Sequence, residues 1–370
     1  MLQRVFGQES YGIATEGVEA WVTRKGGHLA PVTFRIGNRN IQPFSIAPWA
    51  EEAGLDLPPI IEALRGDFFC MPFGANQVPF EGELHPIHGE TANADWTLVE
   101  QTATKLTLEM TPTVRPGKVR KEIELRAGQS VIYSRHTISE MRGPMSLGHH
   151  AMLKFQEEGL VSTGPFGFGQ VFPGAFEVPA EGGYSSLKRG AMFESLAAVP
   201  LAEGGYADLT RYPARDGFED LVMVYSPPGD EFGWSAVTFP EQGYIWFALK
   251  DPRVLSGTIL WHSNGGRHYA PWSGRHRAVL GIEDVTASMH FGLAGSVAEN
   301  DASRAGYRTS VVLDQYRPFV VNYITGIVEA PRGACAIAKI QPGQEGVELT
   351  LQDGSSLFSP LDLEFLYQGS

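Results

Sequence analysis

The sequence predicts an all-β protein, a large antiparallel β-sandwich of two sheets. Three observations predict it. Alternation of apolar and polar residues with the period of a strand recurs along the chain. Glycine and proline are abundant, 43 and 25 in 370 residues, and supply turns. Long amphipathic helical runs are missing. Hydrophobic residues make up 43% of the chain, ample for a large core. No internal repeat, heptad pattern or low-complexity linker interrupts the sequence, so residues 1–370 are expected to form one sandwich domain.

The strands can be taken in order. "KLTLEMT" (105–111) sets Leu106, Leu108 and Met110 against Lys105, Thr107 and Glu109. "VRKEIELR" (119–126) sets Val119, Ile123 and Leu125 against Arg120, Glu122, Glu124 and Arg126. Both read as half-buried strands. The "PTVRPGK" between them carries Pro-Gly and marks a hairpin. "SVIYSRHTI" (130–138) continues the style. "DLVMVYS", "YIWFALK" and "GTILWHS" are more apolar and fit strands buried on both faces. "GVELTLQDGS" returns to alternation and ends on an Asp-Gly turn. The one good short helix is "PPIIEALRG" (58–66), with proline at its start, Glu62 and Arg65 outward, and Gly66 as its stop. The glycine-rich stretch 161–205 reads as short loops and turns.

Charge and cysteine content narrow the function classes. The net charge of −13 repels phosphate backbones and anionic lipid surfaces, so neither nucleic acid nor membrane is an expected partner. Cys70 and Cys335 stand alone, without CxxC spacing, which suits a reducing compartment. The first residues lack an apolar secretory core, and no run of 18 apolar residues occurs. A cytoplasmic location is expected.

Candidate chemistry lies in histidines and acids scattered over long separations. Dinucleotide-binding, P-loop and GxSxG motifs are missing. "CMPFGANQVPFEGELHPIHGETANADW" (70–96) is too rich in proline and glycine for a regular element, yet it holds His85 and His88. "SLGHHAMLKF" (146–155) carries His149 and His150 in a strand-like run. Neighbouring strand residues face opposite sides, so one pocket can use only one of them. "VLGIEDV" (279–285) places Glu283, followed by Asp284, in an apolar strand. Such a carboxylate sits at a strand end in water, pairs with arginine, or is a base with a raised pKa in a cleft. Asn76 and the run "WHSNGGRHYAPW" (261–272), which includes Trp261, His262, Arg267 and His268, set polar groups among aromatic rings. That mixture suits sugars, whose C–H faces stack on rings while their hydroxyls take hydrogen bonds. Two other readings stay open on these residues. "HPIH" has a spacing compatible with two metal ligands, joined by His149 or His150 and a glutamate. Tyr212, Asp216 and Asp220 could serve an oligosaccharide lyase or hydrolase.

These pieces, in this order, resemble the aldose 1-epimerase (galactose mutarotase-like) superfamily over roughly residues 20 to 295. Phe73-Gly74, His88-Gly89 and Asp95-Trp96 resemble its hexose-6-phosphate epimerase branch. "LGHHAMLKF" resembles the strand bearing the family's histidine acid, with His150 in the best register and His149 the alternative. "AVLGIEDV" resembles the strand carrying the catalytic glutamate, here Glu283, and "ILWHSNGGRHYAPW" resembles its Trp-rich lead-in. Ala92 stands where the phosphate-binding branch has arginine, which counts against a phosphorylated substrate. Met152 and Leu153 stand where the galactose branch has an aromatic pair.

The resemblance implies a galactose mutarotase-like supersandwich, with residues 296–370 as a C-terminal extension of the same domain. It implies interconversion of the anomers of a hexose or related sugar. Glu283 and His150 would be the catalytic base and acid. His88, Asn76, His149, Arg267 and Trp261 would bind substrate, and neither metal nor organic cofactor would be needed. The expected partners are a small-molecule sugar and a second copy of the chain. The alternatives on the same fold are a non-catalytic carbohydrate-binding or sensing protein and the lyase or hydrolase.

Overall fold

The computed structural model describes residues 2–369. Strands occupy 47% of it and helices 7%, so the all-β expectation holds. Two large antiparallel sheets dominate, one of eleven strands and one of nine. The middle of the larger sheet runs Asp67–Cys70, Leu147–Lys154, Val279–Thr286, Gly257–Asn264, Phe218–Tyr225. Every residue of Val279–Thr286 and Gly257–Asn264 is buried, because both faces of this sheet are covered. Ala151, Leu153, Leu260, Leu280 and Ile282 pack toward the other sheet. Phe68, Met152, Met223, Ile259 and Val285, one residue out of step, pack on the opposite face beneath Trp49, Ile60, Leu64, Phe73 and Trp272. This is the period-2 alternation of a strand with loops closing its second side.

The strands read from sequence are present. Lys105–Met110 and Lys118–Glu124 pair antiparallel across the predicted hairpin, and Val131–Ser139 pairs with the latter. The Asp353-Gly354 turn joins Gly346–Leu351 to Ser356–Pro360, and Gly354 has the positive φ of +85° that favours glycine there. Across the start of 161–205, Gly159–Thr163 belongs to the nine-stranded sheet and Phe168–Val171 to the eleven-stranded one, so this stretch is not loops and turns alone.

The helix differs from its sequence reading. It spans only Pro59–Glu62, and Arg65 does not face outward. Its side chain is fully buried, donating from Nε, Nη1 and Nη2 to the carbonyls of Ala63, Val5 and Phe6. An arginine can be buried when its fork meets carbonyls that need donors. Phe319–Glu329 runs through the interior of the nine-stranded sheet, between Tyr244–Lys250 and Val131–Ser139. Ile337–Gly343, Gly346–Leu351 and Ser356–Pro360 form a separate three-stranded sheet that buries Ile340, Leu349 and Leu351 against that sheet's Tyr133, Phe247 and Ile324.

A polar layer lies between the two large sheets. Asp284 accepts from Thr258 Oγ1 at 2.6 Å and Tyr323 Oη at 2.8 Å, and pairs with Lys250 Nζ at 2.7 Å. His149 Nδ1 lies 2.7 Å from Asp67 Oδ2, and its ring stacks on Tyr323 at 4.3 Å. Buried charges without partners are costly, so each member depends on the others. Tyr323→Phe removes one donor from Asp284 and should cost about 1–3 kcal/mol of stability. Urea unfolding checks this, and an unchanged midpoint would count against the layer's role.

Candidate active site

Strand register builds the site. Leu147 to Lys154 pairs with Thr286 to Val279 in a constant register that sets His150 opposite Glu283. The neighbouring strand on the other side sets Phe68 opposite His150. Both ionisable side chains emerge on the loop-covered face, with His150 Nε2 3.3 Å from Glu283 Oε1. Gly281, two residues before Glu283, leaves them room. A Cβ there would lie 2.9 Å from Glu283 Oε1 and 3.0 Å from Trp261 Cβ.

The loop from 71 to 96 brings His88 to the same place. Its ring lies 5.2 Å from that of His150 and 5.1 Å from that of His290. His88 has a φ of +58°, a conformation that side-chain-bearing residues rarely adopt. Neighbouring backbone holds it there: His88 N donates to Gly74 O at 2.7 Å, and Met71 N to His88 O at 3.3 Å. Asn76 braces the turn from inside. Its Nδ2 is shared among the carbonyls of Pro72, Gly74 and Pro86, and its Oδ1 accepts from Leu293 N.

Trp261 and Arg267 form a wall. Trp261 Nε1 donates to Glu219 Oε2 at 2.9 Å, and its ring stacks on His276. The Arg267 guanidinium lies 4.5 Å from the centre of the Trp272 ring and 5.2 Å from that of Trp261. Its Nε donates to Glu177 Oε1 at 2.6 Å. Together these side chains line a narrow pocket of about 70 Å³, with Ile60, Phe68 and Leu221 completing an apolar lining.

The pocket is dry enough to reset protonation. Burial pushes the Glu283 carboxyl well above the usual carboxylate range, against the opposing pull of Arg267. Burial brings His150 down to about 3 and His290 to about 4, and holds His88 well below its ordinary value. Burial also raises Glu219 to about 7, although Arg267, Ser263 and Trp261 pull it down. Burial therefore favours the uncharged forms of both groups, a carboxyl on Glu283 and a neutral imidazole on His150.

The structure brings together Glu283, His150, His88, Trp261 and Arg267. It corrects two expected substrate contacts. His149 faces the polar layer between the sheets, because it is one residue out of phase with His150. Asn76 has spent its amide on the loop. Other candidates also turn out structural. Tyr212 Oη donates to the Ser263 and Val279 carbonyls, and Asp220 accepts from Ser186 and Leu187. His85 Nε2 bonds Glu83, which is itself bound by Arg115, and does not line the pocket. His262 is buried beside Tyr212, and His268 packs on Tyr184. Ala92 is buried, its carbonyl meeting His28 Nε2 at 3.1 Å.

Sequence reasoning passed over His290, Glu219 and Glu177. Glu219 had a signal, since it begins an apolar strand next to Asp220 and must face the other way. His290 and Glu177 lie in irregular stretches where no periodicity marks them.

No family model matches the chain, and no curated protein sequence does. Solved structures do match. A candidate aldose 1-epimerase from Escherichia coli K12 aligns with a TM-score of 0.61 at 12% identity, over 87% of this chain and 100% of its own. A galactose mutarotase related enzyme from Lactobacillus acidophilus gives 0.56 at 11%, over 87% and 98%. A galactose mutarotase-like protein from Lactobacillus casei gives 0.55 at 10%, over 86% and 100%. The fold is galactose mutarotase-like. The supersandwich expected from the resemblance is thus present, and at these identities the likeness is one of architecture.

Two outcomes follow from this geometry. Asn76→Ala strips the His88 turn of its brace and should lower stability by about 1–3 kcal/mol. It should also free His88 from its left-handed conformation, which the His88 ring resonances in NMR would register. Acid should destabilise the protein early. His28, His150 and His276 are held near 3 and His290 near 4 by burial, whereas an unfolded histidine titrates near 6.5. Below pH 6.5 the unfolded chain gains protons that the folded chain refuses, worth about 1.4 kcal/mol per proton per pH unit. The raised carboxyls of Glu219 and Glu283 act in the opposite sense but are outnumbered. The Tm should therefore drop clearly from pH 7 to pH 5, and a flat profile would contradict this burial.

Proposed function

We propose that this protein interconverts the α and β anomers of an aldose, a hexose or a related sugar, by general acid–base opening and reclosing of the ring. One observation carries the reading. Glu283 and His150 stand 3.3 Å apart at the floor of an aromatic-walled pocket. The C1 hydroxyl and the ring oxygen are bonded to the same carbon, so the base and acid that serve them must stand close together.

Ring opening then balances as follows. The Glu283 carboxylate takes the proton of the C1 hydroxyl, and C1 becomes a carbonyl as its bond to the ring oxygen breaks. That oxygen takes its proton from the His150 imidazolium. The pair passes from carboxylate and imidazolium to carboxyl and imidazole, the form that burial favours. After rotation about C1–C2 the steps reverse on the other face. His88 holds a hydroxyl near the reacting end, and Trp261 offers its face to the ring's C–H groups. Acid–base steps of this kind are worth about 10²–10⁴ each, and positioning adds to them.

Glu283→Gln keeps the shape of the site and removes the base. Anomer exchange, followed by NMR saturation transfer on a panel of aldoses, should fall by about 10²–10⁴-fold. Exchange at the wild-type rate in this variant would sink the assignment. Sugar binding by a wild-type protein that exchanges nothing would instead mark a binding or sensing protein.

A further inference from the structure

The pocket does not end at Arg267. Beyond the wall formed by Ile87, Phe176, Arg267 and His290 lies an outer chamber of about 560 Å³ that shares those four residues with the inner pocket. Phe291 and Tyr269 stand at its surface, 40% and 39% exposed, so two aromatic rings face water there. Phe172 backs Phe291 at 4.8 Å, and Gly174 keeps the space open, since a Cβ on it would strike the Phe172 ring at 2.8 Å. Polar groups line the same chamber: the Glu177 carboxylate, which Arg267 and Tyr269 Oη hold in place, and the Gln77 amide.

We infer that the outer chamber is a second sugar subsite, and that the substrate class is a reducing disaccharide or longer oligosaccharide. The reducing unit sits inside with C1 against Glu283 and His150. Its non-reducing neighbour stays in the chamber, stacked on Phe291 and Tyr269 and hydrogen-bonded to Glu177. The lining selects a glycosyl unit over a purely apolar group. A hydrocarbon there would cover the rings but strip water from the Gln77 amide and the Tyr269 hydroxyl without replacing its hydrogen bonds. A pyranose supplies both an apolar face and hydroxyls. The orientation, with C1 innermost, rests on the anomer-exchange reading; the second subsite is tested by binding alone.

The test uses Glu283→Gln as well as the wild-type protein, so that affinity is read without turnover. Dissociation constants are measured by tryptophan fluorescence for glucose and galactose, and for maltose, cellobiose and lactose. At least one disaccharide should bind about tenfold tighter than the monosaccharides, in both proteins. Phe291→Ala should erase that advantage and leave monosaccharide affinity unchanged. Tyr269→Ala, on a different loop, gives an independent reading should the first variant fold poorly. Disaccharides that bind no tighter than monosaccharides, or an advantage that survives both substitutions, would overturn the subsite. Failure of anomer exchange with the disaccharide advantage intact would overturn the catalytic reading and leave the subsite standing.

Discussion

Strand register is the constraint on which this structure depends, and the buried polar layer between the sheets enforces it. Glu283 and Asp284 are neighbours on one strand, as are His149 and His150 on the next. In the observed register Glu283 and His150 face the pocket, while Asp284 and His149 face the second sheet. A slip of one residue would exchange the two sets. It would take Asp284 from Lys250 and Tyr323, leaving the Lys250 charge buried without its counterion and the Tyr323 hydroxyl without its acceptor. Apolar packing alone specifies the register weakly here, because both faces of the strand are apolar and buried. The charges make one alignment much better than its neighbours.

The pocket has the opposite character. Burial favours the neutral form of its histidines, and its one guanidinium, itself largely buried, is neutralised by Glu177. Little charge is fixed in place before a ligand arrives. In the proposed ring opening, ligand hydroxyls would replace the missing solvent as the Glu283–His150 pair passes through its charge-separated form. The stiff loop around His88, laced by Asn76, keeps the third group from collapsing into the empty space.

Much of this was legible in the sequence. Alternation along "SLGHHAMLKF" already said that at most one histidine of the pair would serve a given pocket. The apolar run around Glu283 already said that a carboxylate there would be costly unless it met water or a partner. Other residues were misread for a physical reason. Arg65 looked like a helix surface and Asn76 like a ligand contact, because local sequence does not reveal which carbonyls a fold leaves without donors. His149 looked like a substrate contact, because nothing local says which face of a doubly buried strand meets the cavity.

The sequence by itself determined the all-β class, the hairpins with their Pro-Gly and Asp-Gly turns, and the pairing of strand faces. These follow from short-range sterics and a two-residue period. Only the tertiary structure decided which face became the pocket, that His290, Glu219 and Glu177 would stand beside Glu283 or behind its wall, and that the cleft would continue past Arg267. Those features come from loops far apart in the chain, whose meeting is set by the closure of two sheets.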